Sequence, residues 1–187
     1  MRVRYAIAAT ALLATAALGA CGTESSTQPN PPAGAASAAA PGKQADLDPC
    51  AMVTPAEVAA ALTQPAGESR TKNGAGTKQC EWDSKSGDRY LVLQVLVVLP
   101  APADTKDGYG WTKAKFDEYW SPGAQPLAGL GDAAYHLKEK GAGTLFVLDG
   151  SLAFSVATVF YRDADAPAAD VIVSTLKPLA TAVAARY

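Results

Sequence analysis

The chain has 187 residues, 49% of them apolar, with 16 basic and 18 acidic side chains and a net charge of −2. That length suits one domain plus a tail. The mildly acidic balance, with no Lys/Arg stripe interleaved with aromatics, excludes the electrostatic footprint of a nucleic-acid binder, and there is no polybasic patch for anionic lipid.

The N-terminus carries Arg2 and Arg4, then an uncharged Ala- and Leu-rich run from Tyr5 to Leu18, and closes on Leu18-Gly19-Ala20-Cys21. A basic start, a short apolar stretch and small residues at the cut describe a secretory signal peptide over residues 1–20. With a cysteine directly after the small residues, the junction resembles a bacterial lipoprotein signal. The resemblance implies that the Cys21 sulfur receives a diacylglycerol and that Cys21 becomes the new N-terminus. Two acyl chains anchor stably where one is marginal. An uncleaved transmembrane helix is the competing reading. The run from Tyr5 to Leu18 is fourteen residues, about 21 Å of helix, short of the ~30 Å hydrocarbon core. Cleavage leaves 167 residues with 14 basic and 18 acidic side chains, a net charge near −4. The expected location is the extracytoplasmic face of the cell membrane, held by the lipid anchor.

Beyond Cys21 the cysteines are a pair, Cys50 and Cys80. An even count beyond the membrane suits a structural disulfide. A loop of about 30 residues closed in this way stabilises by about 3.6 kcal/mol in the chain-entropy account. A metal site fails on ligand number, because His136 is the only histidine and no CxxC exists. No metal and no cofactor are expected.

Residues 21–47 read as the lipidated cysteine and a tether. The segment holds Pro29, Pro31, Pro32 and Pro41 among Ala, Ser, Thr and Gly, with no apolar periodicity to offset its ordering entropy. A flexible chain of that length spans roughly 25–30 Å. The folded domain is expected over residues 48–187.

Thr54-Pro55-Ala56-Glu57 is the sharpest local signal in the domain. Thr54 can cap, Pro55 suits the first helical position, and Glu57 can close a capping box, with Val53 and Val58 as a staple. The helix should stop before Pro65. Gln79–Asp83 and Tyr90–Leu99 read as a hairpin around the polar turn from Ser84 to Arg89. The run from Leu91 to Leu99 is apolar on both faces except at Gln94, which predicts cover on both sides of the sheet. Thr112–Trp120 reads as a second helix, with Phe116, Tyr119 and Trp120 on one side. Strands follow at Ala133–Lys138, Thr144–Leu148 and Ser151–Tyr161, the last two joined by an Asp149-Gly150 hairpin turn. From Ala166 to Ala185, Ile172, Leu176, Leu179 and Val183 form one helical stripe, with Asp165 as cap and Pro178 as a kink or split point. This order predicts an α+β domain: a mostly antiparallel sheet of about five strands covered by three helices.

Gly129-Leu130-Gly131-Asp132-Ala133-Ala134 matches G-x-G-x-x-A on paper, but a dinucleotide fingerprint needs a strand before it and a helix after it. A glycine turn into a strand is the better account. His136 has no G-x-S-x-G elbow to serve, and reads as a polar residue on a half-exposed strand. Asp163, Asp165 and Asp170 suit capping and macrodipole roles. The cluster of Tyr109, Trp111, Tyr119 and Trp120 reads as core or as a ligand groove.

Asp48-Pro49-Cys50, Thr54-Pro55-Ala56-Glu57-Val58, Cys80-Glu81-Trp82 and Gly129-Leu130-Gly131-Asp132-Ala133-Ala134-Tyr135, behind a lipobox, resemble a family of actinobacterial lipoproteins known as domain of unknown function 3558. The resemblance runs from Asp48 to the C-terminus. It implies a bridged Cys50–Cys80 pair in a secreted, lipid-anchored domain, and it supplies no catalytic residues. The element order is similar to Mog1/PsbP-like sandwiches, an analogy of fold that carries no function. A non-enzymatic binding or interaction module is the expected function, with an envelope lipid, small molecule or protein as partner and no nucleic acid. Its ligand contacts are expected at Trp111, Trp120, Asp132 and Tyr135. The alternative is a cell-envelope hydrolase or transferase working through carboxylates.

Overall fold

Where the chain enters its domain, Asp48 turns it: the Cys50 amide donates to Asp48 Oδ1 at 2.9 Å, and Cys50 is bridged to Cys80. A computed structural model of the chain describes residues 46–99 and 110–186. The signal segment with Cys21, most of the tether, and Tyr109 lie outside the described residues.

Four residues after Cys50, the capping box forms as its sequence predicts. Helix α1 (Pro55–Leu62) starts with the Thr54 hydroxyl accepting from the Glu57 amide while the Glu57 carboxylate accepts from the Thr54 amide. Seven strands follow: β1 (Ser69–Gly74), β2 (Thr77–Ser86), β3 (Arg89–Val98), β4 (Gln125–Pro126), β5 (Ala133–Glu139), β6 (Ala142–Asp149) and β7 (Leu152–Phe160). Helix α2 (Lys113–Trp120) lies between β3 and β4, and α3 (Ala169–Ala185) closes the chain. One sheet holds all seven strands in the order β1-β2-β3-β7-β6-β5-β4, and every neighbouring pair is antiparallel.

The sheet is strongly two-sided. In β3 the odd positions Leu91, Leu93, Val95 and Val97 are buried, while Val92, Gln94, Leu96 and Val98 are half-buried. Their partners on β7 extend the closed face through Phe154, Val156 and Thr158, and β6 adds Leu145 and Val147. Helices α1 and α3 lie on this face, where Val58, Leu62, Ile172, Leu176, Leu179 and Val183 join one core with the strands. Gly143 sets how closely α3 approaches: a Cβ there would stand 2.5 Å from Ile172 Cγ2. Far from the sheet centre, Arg186 ties α3 back to α1. Its guanidinium donates to both Glu57 oxygens at 2.7 and 2.8 Å and to the Met52 carbonyl at 2.8 Å.

Several expectations need correction. There are seven strands rather than about five. Strand β1 was hidden because all six of its residues are polar or glycine and exposed, and β4 is only two residues long. The first hairpin turns tightly on Gly87-Asp88, with Ser86 facing Arg89, instead of spanning Ser84 to Arg89. The last hairpin turns on Gly150-Ser151, because Asp149 still pairs with Leu152. Asp165 does not cap α3. It sits in a 3-10 turn over Asp163–Asp165 and accepts from Arg162, and Ala168 occupies the cap position without a side-chain bond. Pro178 does not split α3, which remains one 17-residue helix held by its buried stripe. Finally, helices lie on both faces but cover them unequally. Among the described residues the second face carries α2 at one end.

The Glu57–Arg186 clamp makes stability depend on pH. The Arg186 guanidinium, helped by the Thr54 amide, pulls the Glu57 carboxyl from 4.5 to about 2. A folded-state value below the free one contributes fully above pH 4.5 and fades as pH falls toward about 2. Glu57→Gln should lose about 1 kcal/mol at neutral pH, the modest size reflecting solvent screening of a partly exposed pair. Denaturant melts should show the gap between variant and wild type shrinking as the buffer is taken below pH 4.5. A gap that does not change with pH would contradict the clamp.

Candidate functional site

The second sheet face is where the structure leaves apolar surface open. Helix α2 is seated on it by Trp111, whose amide donates to the Ser151 carbonyl at 3.0 Å and whose indole N–H donates to the Val98 carbonyl at 2.8 Å. Gly110 permits that approach, since a Cβ there would stand 2.4 Å from the Ser151 Cβ and its φ is +129°. Thr112 then caps α2 by accepting from the Lys115 amide. Phe116, fully buried, packs with Trp111, Leu148 and Ala153 into a small second core flanked by Trp120, Tyr135 and Phe146.

Beyond α2 the same face carries Leu96, Gln94 and Val92 from β3, Thr144 from β6 and Leu137 from β5, all half-buried, with Val159 of β7 more exposed. Its far edge is polar and internally paired. Glu81, 5% exposed, accepts from Gln79 Nε2 at 2.7 Å and Gln94 Nε2 at 3.0 Å, and meets Lys72 Nζ at 2.6 Å. One row along, Asp83 accepts from the Tyr90 hydroxyl at 2.9 Å and pairs with Arg70 at 2.5 Å. Burial pushes the Asp83 carboxyl up, but the Tyr90 and Arg70 bonds outweigh it and hold it below the usual carboxylate range. Buried charge satisfied on every side is what this environment demands.

At the opposite end, the start of α2 and the turn before β5 enclose an open cleft of about 240 Å³, lined among others by Lys113, Leu127, Asp132 and Tyr135. The Tyr135 hydroxyl donates to Asp117 Oδ1 at 2.9 Å and Lys113 Nζ donates to Asp117 Oδ2 at 2.5 Å. The Lys113 bond holds the Asp117 carboxyl low, and the same carboxylate raises the Tyr135 phenol. Asp132 stands on a turn that only glycine allows at residue 131, where φ is +56° and a Cβ would stand 2.3 Å from the Leu148 carbonyl. Its Oδ2 accepts from the Gly150 amide at 2.8 Å. Burial, with the Asp132 charge nearby, raises Asp149.

Of the four expected contact residues, Asp132 and Tyr135 share this cleft. Trp120 does not line it; half-buried, it packs on Phe116 and Phe146 with ring centroids 4.8 and 6.2 Å away. Trp111 is 7% exposed and committed to holding α2 down. Sequence reasoning missed Lys113 and Asp117, although their i,i+4 spacing is a readable ion-pair signal. It also missed Glu81 and Gln94, which share a face only once β2 and β3 are in register. His136, half-buried, faces Gln125 across β4–β5. Among the described residues no group of three or more His, Cys, Asp and Glu is placed to hold a metal ion, and no helix is long and apolar enough to cross a membrane.

No curated protein and no solved structure matches the chain. A family model, "Protein of unknown function (DUF3558)", matches residues 16–111, half of the chain, a span that takes in the bridged cysteines, α1 and β1 to β3 and ends just before α2. The chain therefore belongs to the DUF3558 family.

Proposed function

We propose that this chain is a lipid-anchored domain on the extracytoplasmic face of the cell membrane that binds a partner there and does not catalyse. The anchoring reading rests on Leu18-Gly19-Ala20-Cys21 and is consistent with a Cys50–Cys80 bridge, which belongs to oxidising compartments. The binding reading rests on one observation above all: a long sheet face that stays half-open beside α2. Hydrophobic side chains such as Leu96 and Val159 remain accessible there, and a contiguous accessible apolar face rimmed by polar groups marks an interaction site. Tyr119, 54% exposed at the end of α2, adds contact area at small entropic cost. The Lys113–Asp117–Tyr135 chain supplies fixed polar contacts at the margin. In that setting the carboxylates Glu81, Asp83 and Asp117 orient neighbours, each already engaged by a cation.

The anchor is tested by intact mass. Protein extracted from its own membranes should carry the added mass of acyl chains, and Cys21→Ser should leave the membrane fraction or persist as precursor. A wild-type mass without acyl chains contradicts the anchor.

The binding face is tested by photocrosslinking in those membranes. A crosslinker placed at Leu96 or Tyr119 should yield a discrete adduct that is absent when it is placed at Asp170, on the exposed start of α3. Equal yields at all three positions contradict the assignment. Hydrolysis of an envelope substrate that is abolished by Asp132→Asn would replace it with the carboxylate-enzyme alternative.

A further inference from the structure

On the other side of the sheet, a cavity of about 60 Å³ opens between the end of α1, the start of α3 and the strand ends, floored by Leu62, Leu91, Phe160, Ile172 and Leu176. It shares Ala61, Thr63 and Thr175 with a shallower groove of about 360 Å³ along the α1–α3 seam, so the two form one cleft. Three features of its lining set it apart from a packing defect.

First, Thr158 is 5% exposed, lines the cavity, and its hydroxyl enters no hydrogen bond among the described residues. With no protein partner, this hydroxyl is free to bond a polar group that enters the cavity. Second, Arg89, the first residue of β3, lines the cavity, exposed, with no carboxylate partner among the described residues. Third, Thr63 ends α1 at φ 54°, ψ 19°. Glycine normally takes this position, and a β-branched residue is strained there. That strain sets a threonine at the junction of cavity and groove.

The inner cavity thus presents a guanidinium and hydroxyls over an aliphatic floor, with no acidic side chain in its lining. A lining of donors over apolar walls is complementary to a monoanion with an alkyl tail. We infer that this cleft binds an alkyl carboxylate, its headgroup between Arg89 and Thr158 and its chain along the α1–α3 seam. Arginine suits this role because its fork meets a carboxylate with two parallel bonds. The cavity has room for the headgroup and first methylenes, and the groove over Ala60, Ala61, Pro178 and Leu179 takes the rest. This inference does not depend on the open sheet face, since the sheet stands between the two surfaces.

The test uses mature protein and a probe series of butanoate, hexanoate and octanoate, with octylammonium as the charge-reversed control, followed by amide and methyl NMR shifts. Octanoate should give saturable shifts at Leu91, Thr158, Phe160 and Ile172, with affinity rising with chain length, and octylammonium should give none there. Arg89→Gln should keep the wild-type thermal midpoint and weaken octanoate binding about tenfold or more, the share of one charge-assisted contact. Thr158→Val, which keeps the side chain's shape, should weaken it as well. No saturable shift at the cavity residues, equal binding of octylammonium, or unchanged affinity in either variant overturns the inference.

Discussion

Everything else in this domain depends on the closure of α3 across one face of the sheet. Gly143 leaves the space that Ile172 fills, and Leu176, Leu179 and Val183 follow it into the same core. Burial on this scale, at roughly 25 cal/mol per Å² of apolar area, outweighs any single polar contact in the chain. Its consequence is asymmetry. Helix α1 is drawn onto the same face, pinned at its entry by the Cys50–Cys80 bridge and at its first turn by Arg186. Among the described residues the opposite face carries an eight-residue helix at one end.

That asymmetry explains how charge is handled on the open side. A carboxylate as enclosed as Glu81 survives because Gln79, Gln94 and Lys72 saturate its oxygens, and Asp83 repeats the arrangement with Tyr90 and Arg70. These groups occupy the β1–β2 margin, where the edge strand's Arg70 and Lys72 also blunt pairing with another chain. The apolar residues concentrate instead along β3, β7 and β6, between this polar margin and the aromatic seat of α2.

Local chemistry was legible in the sequence, and tertiary compensation was not. Helix α1 announced itself because Thr54, Pro55 and Glu57 act within one turn, and α2 because Thr112 precedes an aromatic stripe. Strand β1 carries no apolar residue and forms because the edge of β2 needs a partner, a demand visible only once the sheet exists. The doubly apolar run from Leu91 to Leu99 was read as needing cover on both faces, yet its even positions are only half-buried. Period-2 hydrophobicity reports what a strand tolerates, not what is stacked on it. At the site, Asp132 and Tyr135 stood out because a glycine turn must deliver them somewhere accessible, whereas Trp111 was indistinguishable by composition from a groove residue until its indole was found bonded to Val98. The α1–α3 cleft left no trace in sequence, because Arg89, Thr158 and Thr63 come from three separate elements.

The sidedness of the sheet is most directly tested by thiol accessibility at two neighbouring sheet positions in a Cys21→Ser background. Leu93 is fully buried under the helices, and Leu96 lies half-buried on the other face. In the native protein, the thiol introduced by Leu96→Cys should react promptly with a small maleimide, and the thiol introduced by Leu93→Cys should react only as fast as the domain unfolds. Equal protection at both positions would mean that the second face is as closed as the first, and would contradict the account.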